Sequence, residues 1–245
     1  MDIGLFYISI AFALGGILKG ATGAGAPIIA IPLIALYYSV PVAVAVFVVP
    51  NFVSNSLQIW KFRTHIISYK FIARFAGAGI VGVGIGTVIL AYLPSDILKL
   101  AVAVAMLIYI IFRLLHPDWK LAFSRALKIA VPIGFLAGIL QGASGISAPV
   151  SITFLNSMRL DRPQFILTVS IFFISMLLVQ IPMLSSFGFL TVERLLIGCA
   201  ATAILLIFMP VGTFLSKFAS KEVFDRAILI LLALLALRLF LDVWP

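Results

Sequence analysis

A lysine, a threonine, a glutamine and two serines stand in two glycine-rich, proline-closed segments of this chain. The first runs Gly16-Ile17-Leu18-Lys19-Gly20-Ala21-Thr22-Gly23-Ala24-Gly25-Ala26-Pro27-Ile28. The second runs Gly138-Ile139-Leu140-Gln141-Gly142-Ala143-Ser144-Gly145-Ile146-Ser147-Ala148-Pro149-Val150, 122 positions later, with eight residues identical. Both are apolar, yet glycine and proline break them where an unbroken helix would be expected. A half-helix starting at Pro27 or Pro149 leaves its first N–H groups unpaired, and its dipole adds partial positive charge there. Gly20, Gly23, Gly25, Gly142 and Gly145 let a ligand approach the backbone closely. Thr22, Ser144 and Ser147 supply hydroxyls. Such a set of donors suits an anion. The competing reading makes Gly16/Gly20 and Gly138/Gly142 close contacts between packed helices.

Lys19 is the sharpest single residue. It falls in the first break, deep in an apolar stretch, where a lysine costs at least ~2.5–3.5 kcal/mol. An anionic ligand would offset that cost, and Gln141 makes the second copy neutral. Asn51, Ser54, Asn55 and Gln58 recur at helical spacing as one polar stripe, matched more sparsely by Ser170, Ser175 and Gln180. The stripe reads either as a pathway lining or as interhelical hydrogen bonding.

The elements that must position these residues are membrane helices. Of 245 residues, 64% are hydrophobic and 10% charged, against about 25% charged in soluble domains. A crossing takes about 20 residues. Single crossings fit 40–60, 71–93, 95–113, 164–184, 192–215 and 223–241, whereas 3–38 and 125–158 are too long for one and slightly short for two. Each of these longer stretches reads as a re-entrant hairpin broken near mid-membrane. Ser39-Val40-Pro41 and Asp161-Arg162-Pro163 begin the following helices, with Ser39 and Asp161 as N-caps.

Basic residues support this layout. Lys61, Arg63, Lys70 and Arg74 form one cluster; Arg113, Lys120, Arg125 and Lys128 a second; Arg159 and Arg162 a third; Lys217, Lys221 and Arg226 a fourth. With two hairpins all four fall on the cytoplasmic side, and both termini lie outside. Each half then has three full crossings, so the halves are inverted, and the tips are expected to meet near the midplane. The predicted fold is an all-α polytopic membrane protein: one transmembrane domain, 1–245, of two inverted repeats, 1–120 and 121–245. Trp60, Tyr69, Tyr92 and Trp244 read as interface anchors.

Several classes are set aside. The net charge of +9 sits in short loops and acts as an orientation signal rather than a nucleic-acid footprint. Gly77-Ala78-Gly79-Ile80-Val81-Gly82 matches a dinucleotide pattern but has no preceding strand, so helix packing is the better account. No Asp or Glu falls at membrane depth, and His65 and His116 read as solvated loop residues. No nucleophile–base pair, metal cluster or cofactor motif appears at depth, which argues against an enzyme. The single cysteine, Cys199, excludes an internal disulfide.

The paired motif G-I-L-K-G-A-T-G-A-G-A-P and G-I-L-Q-G-A-S-G-I-S-A-P, in a chain of this length and layout, resembles the TauE/SafE family of bacterial sulfite and organosulfonate transporters. The resemblance implies movement of sulfite, thiosulfate or a sulfonate such as sulfoacetate across the bacterial inner membrane. Family motif positions map onto Gly20, Gly23, Gly25 and Pro27, and onto Gly142, Gly145 and Pro149; Ser147 replaces the last glycine. The expected site comprises Lys19, Gly20, Thr22, Gly23, Gly25, Asn51, Asn55, Gln58, Gln141, Gly142, Ser144, Gly145, Ser147 and Gln180, with a small anion and the lipid bilayer as partners. Lack of membrane carboxylates favours export, since an inside-negative potential drives an uncoupled anion outward. A coupling ion (H+ or Na+) and homo-oligomerisation stay open. An anion channel and a non-transporting accessory protein are the alternatives.

Overall fold

The computed structural model describes residues 3–116, 119–218 and 221–243. Ten α-helices account for most of them: α1 (Ile3–Thr22), α2 (Ala26–Ala35), α3 (Val40–Phe62), α4 (Tyr69–Tyr92), α5 (Ser95–Leu115), α6 (Phe123–Ser144), α7 (Ala148–Ser157), α8 (Arg162–Ser186), α9 (Val192–Leu215) and α10 (Lys221–Val243). Seven are long and apolar enough to cross a membrane. The chain is an all-helical, multi-pass membrane protein. Ser39 and Asp161 are N-caps, but only the Asp161 side chain caps, accepting a hydrogen bond from Gln164 N at 3.0 Å. Trp60, Tyr69 and Tyr92 stand largely exposed at helix ends, while Trp244 lies outside the described residues.

Both long stretches fold as hairpins. Tyr37, just after α2, stacks on Tyr7 in the second turn of α1, with ring centroids 3.8 Å apart. Leu121, just before α6, donates its N–H to Ser157 O at the end of α7, 2.8 Å away. Each short arm therefore returns to the level at which its long arm began. The arms are unequal, however. α1 and α6 have 20 and 22 residues, α2 and α7 only 10 each. At 1.5 Å per residue the long arms reach about 30 Å, the thickness of a hydrocarbon core. The breaks thus come at the ends of full-length helices, not midway along them.

Glycine packing explains this difference. Gly16 and Gly20 do not interrupt α1, because a Cβ on either would strike the backbone of Leu205 or Met209 in α9. Gly134, Gly138 and Gly142 of α6 meet the carbonyls of Phe75, Gly79 and Val83 of α4 in the same way, so these two helices run parallel. Small residues here hold helices together, and Gly79 and Gly82 of the rejected dinucleotide pattern take part: Gly79 seats Phe172 and Gly82 meets Phe135 O.

The helix pairings survive exchange of the two halves. α1 packs on α9 as α6 packs on α4; α3 packs on α9 as α8 packs on α4; α2 meets α10 as α7 meets α5. α3 with α8 and α5 with α10 form the self-matching pairs between halves. Neither α1–α6 nor α2–α7 is among the packed pairs of the described residues. The two tips stand apart, contrary to expectation: Gly23 O meets Gln58 of α3, whereas Gly145 packs on Val44, 14 residues or about 21 Å earlier in the same helix. Full-length first arms carry them apart, and α3 lies between them.

Candidate functional site

The two breaks share one backbone scheme. Gly23 and Gly145 take left-handed φ values of 88° and 72°, which end the long helices at little cost because glycine has no Cβ. Gly23 N donates to Lys19 O at 2.7 Å, and Gly145 N to Gln141 O at 2.8 Å. Ala24 N donates to Thr22 Oγ1 at 3.3 Å, and Ile146 N to Ser144 Oγ at 3.3 Å. Thr22 and Ser144 also donate back to their own helices, to Leu18 O and Leu140 O. Their hydroxyls thus serve turn formation. The copies part at the next position: Gly25 has φ 92°, whereas Ser147 has φ −97° and pairs with Ser151 at 3.2 Å.

Side-chain chemistry separates them further. Lys19 lies in the last turn of α1, 16 residues or about 24 Å from its start, and is 3% exposed. Its Nζ donates to Asn55 Oδ1 at 2.8 Å. Asn55 Nδ2 in turn donates to Asn51 O at 2.7 Å and to Asn51 Oδ1 at 2.5 Å. An ammonium has three donors, and this one has a single hydrogen-bond partner and no carboxylate beside it among the described residues. Gln58 Nε2 donates to Gly23 O at 2.9 Å, and Gln58 Oε1 accepts from Ser170 Oγ at 3.0 Å. The predicted stripe of α3 is therefore buried, and Asn55 and Gln58 reach the first tip; Asn51 bonds Asn55 and lines the cavity at the second tip, and Ser54 turns back on its own helix, to Pro50 O.

The second tip has no such network. Leu177 and Phe173 stand where the first half has Asn55 and Asn51. Gln141 is 3% exposed and its Oε1 has no hydrogen-bond partner. Gln180 Nε2 donates to Gln141 O at 3.3 Å. Gly20 and Gly142 are brought to their tips but face neighbouring backbone.

Two cavities adjoin the tips. A vestibule of about 420 Å³ reaches Ala21 and Thr22 at the first tip. Arg113, His116, Trp119, Arg159 and Arg162 line it, with Asn156, Ser157 and Ser216. Arg162 donates to Gly20 O and Ala21 O at 3.0 and 3.2 Å, and Thr213 donates to Gly20 O at 2.9 Å. These donors satisfy the carbonyls left open where α1 ends. Sequence reasoning treated Arg113, Arg159 and Arg162 as orientation signals and His116 as a solvated loop residue. Only folding gathers them, since they come from two distant segments. The one local mark is Arg159, whose φ of 52° is unusual for a side chain of its size. At the second tip the cavity is about 10 Å³, walled by apolar groups and by Asn51, Gln141, Gly145 and Gln180. Lys19 lines neither cavity.

The sequence profile of a family described as sulfite exporter TauE/SafE matches residues 7–239, nearly the whole chain. Among curated proteins and solved structures, none matches.

Proposed function

Since the chain belongs to the sulfite exporter TauE/SafE family, a family of membrane transporters, we propose that it carries a small sulfur-containing anion, of the sulfite, thiosulfate or sulfonate type, with Lys19 as the electrostatic anchor. One observation carries this reading. Lys19 is a buried ammonium with one neutral hydrogen-bond partner and no carboxylate beside it among the described residues. Burying a charge without a partner is expensive, and an arriving anion supplies the partner. The vestibule concentrates anions through Arg113, Arg159 and Arg162 and brings them to Thr22, one helical turn beyond Lys19. Gln58 and Asn55 position the tip and the ammonium.

Alternating access is part of this reading. The first tip opens on a vestibule of about 420 Å³, whereas the second adjoins a cavity of only about 10 Å³, an asymmetry expected of a carrier that faces one side at a time. Parallel packing of α4 with α6, together with the returning hairpins, supports an inverted arrangement of halves 1–120 and 121–245. The positive-inside pattern puts the vestibule on the cytoplasmic side of the inner membrane and both termini outside. An inside-negative potential then assists export by ~2.3 kcal/mol per charge per 100 mV.

The test is anion flux from proteoliposomes loaded with sulfite, thiosulfate, sulfate or sulfoacetate. Lys19→Met should lower flux of the transported anion at least a hundredfold, with Lys19→Arg retaining more. Undiminished flux in Lys19→Met sinks the anchor role. Turnover at channel rates in single-channel recording selects the channel, and no flux of any solute selects an accessory protein.

A further inference from the structure

We propose that the second tip binds a dehydrated monovalent cation, of sodium or lithium size, between Asn51, Gln141, Gln180 and the C-terminal end of α6. The first tip shows what such a helix end requires. There α1 ends with a tethered cation, Lys19, in its last turn, and with Arg162 and Thr213 donating to its last carbonyls. A positive charge at a helix C-terminus is stabilised by the dipole. At the second tip two of the three are replaced: Gln141 stands for Lys19 and Val40 for Arg162. The third is kept as Thr87, at an offset of 126 from Thr213, but Thr87 bonds only Val83 O of its own helix, whereas Thr213 bonds Gly20 O as well as Met209 O of its own helix. The end of α6 is thus built like that of α1 but lacks its cationic cap.

What stands there points to a free ion. The cavity of about 10 Å³ has room for one particle no larger than a water molecule. Its polar wall is three side-chain amides and Gly145, the residue that caps α6. None of residues 146–150, which begin the return arm with its unfavourable positive dipole, lines it. Gln141 brings a buried amide whose oxygen has no hydrogen-bond partner. Asn51 Oδ1, already bonded to Asn55, keeps a second lone pair. Amide oxygens are hard, neutral ligands suited to a small alkali cation. The same Asn51 links this site to Lys19 through Asn55, so a tethered ammonium and a free cation would sit at the two ends of one polar chain.

The proposal does not depend on which anion is carried, and its test contains no transported anion. Purified full-length protein is melted in chloride salts of sodium, lithium, potassium and N-methylglucamine at equal ionic strength. Sodium or lithium should raise the melting temperature saturably, by about 5 °C or more at a hundred times its Kd, with potassium weaker and N-methylglucamine inert. Gln141→Lys should abolish the response by supplying its own ammonium, and Gln141→Leu by removing the amide. Equal melting in all four salts overturns the proposal, as water alone in the cavity would require. So does an undiminished sodium response in either variant, while the wild-type series decides the matter should both variants fail to fold.

Discussion

The two tips share a backbone scheme up to Gly25 and Ser147 but differ in charge, one cationic and the other neutral. Three hydrogen bonds recur at the offset of 122, with distances equal within 0.1 Å: Gly23 N and Gly145 N to the long arm, Ala24 N and Ile146 N to the hydroxyl, Ile28 N and Val150 N to the residue before the short arm. Yet one tip carries a buried ammonium on a chain of asparagines beside a vestibule of about 420 Å³. The other carries a glutamine with an unpaired oxygen beside a cavity of about 10 Å³. Structure was held constant where it ends a helix, and chemistry diverged where a ligand would sit. Hydroxyls that looked like ligand donors, Thr22 and Ser144, belong to the constant part, whereas Lys19 and Gln141 belong to the divergent part.

The largest effect should appear where the halves agree. Gly20→Val and Gly142→Val both place side chains against backbone, at Met209 O and Val83 O. Neither helix can yield without separating from its partner, so each should cost more than ~4 kcal/mol. Size-exclusion profiles of the solubilised variants should show both failing to yield folded protein. Survival of one and not the other would show that the packing is less equivalent than its geometry.

Next comes the charge difference. Lys19→Gln gives the first tip the second tip's residue and should lower anion flux at least a hundredfold. Gln141→Leu should lower it less than tenfold. Equal losses in proteoliposome assays would place the anion between the tips rather than at the first.

The smallest effect tests the one backbone difference. Gly25→Ser forces a side chain into φ 92° where its Cβ meets only ordinary contacts, so the penalty is conformational, about 1–2 kcal/mol. The reverse change, Ser147→Gly, leaves an allowed φ and should cost under ~1 kcal/mol. Thermal melts that reverse this order would contradict the assigned turns.

Much of this was legible beforehand. Helices α3, α4, α5, α8, α9 and α10 start and stop within a few residues of the apolar runs that predicted them, because hydrocarbon sets both their length and their composition. Lys19 stood out because a lysine is costly there, and the Asn51–Gln58 stripe because its spacing is helical. The break position was not legible. Gly16 and Gly20 read either as part of the interruption or as contacts between packed helices; the second reading holds for them, because their missing side chains let α9 pack closely, and the helix runs on to Thr22.

From the sequence alone came the membrane class, the repeat, the hairpins and Lys19 as a charge placed in an apolar stretch. These follow from local rules: hydropathy over a span, glycine at a turn, charge in a loop. Only the tertiary structure decided that the tips stand apart, that Asn55 rather than a carboxylate faces Lys19, and that Arg113, Arg159 and Arg162 line one vestibule. Those depend on which helices pack together and in what register. Contacts between residues a hundred positions apart leave no periodic trace in the chain.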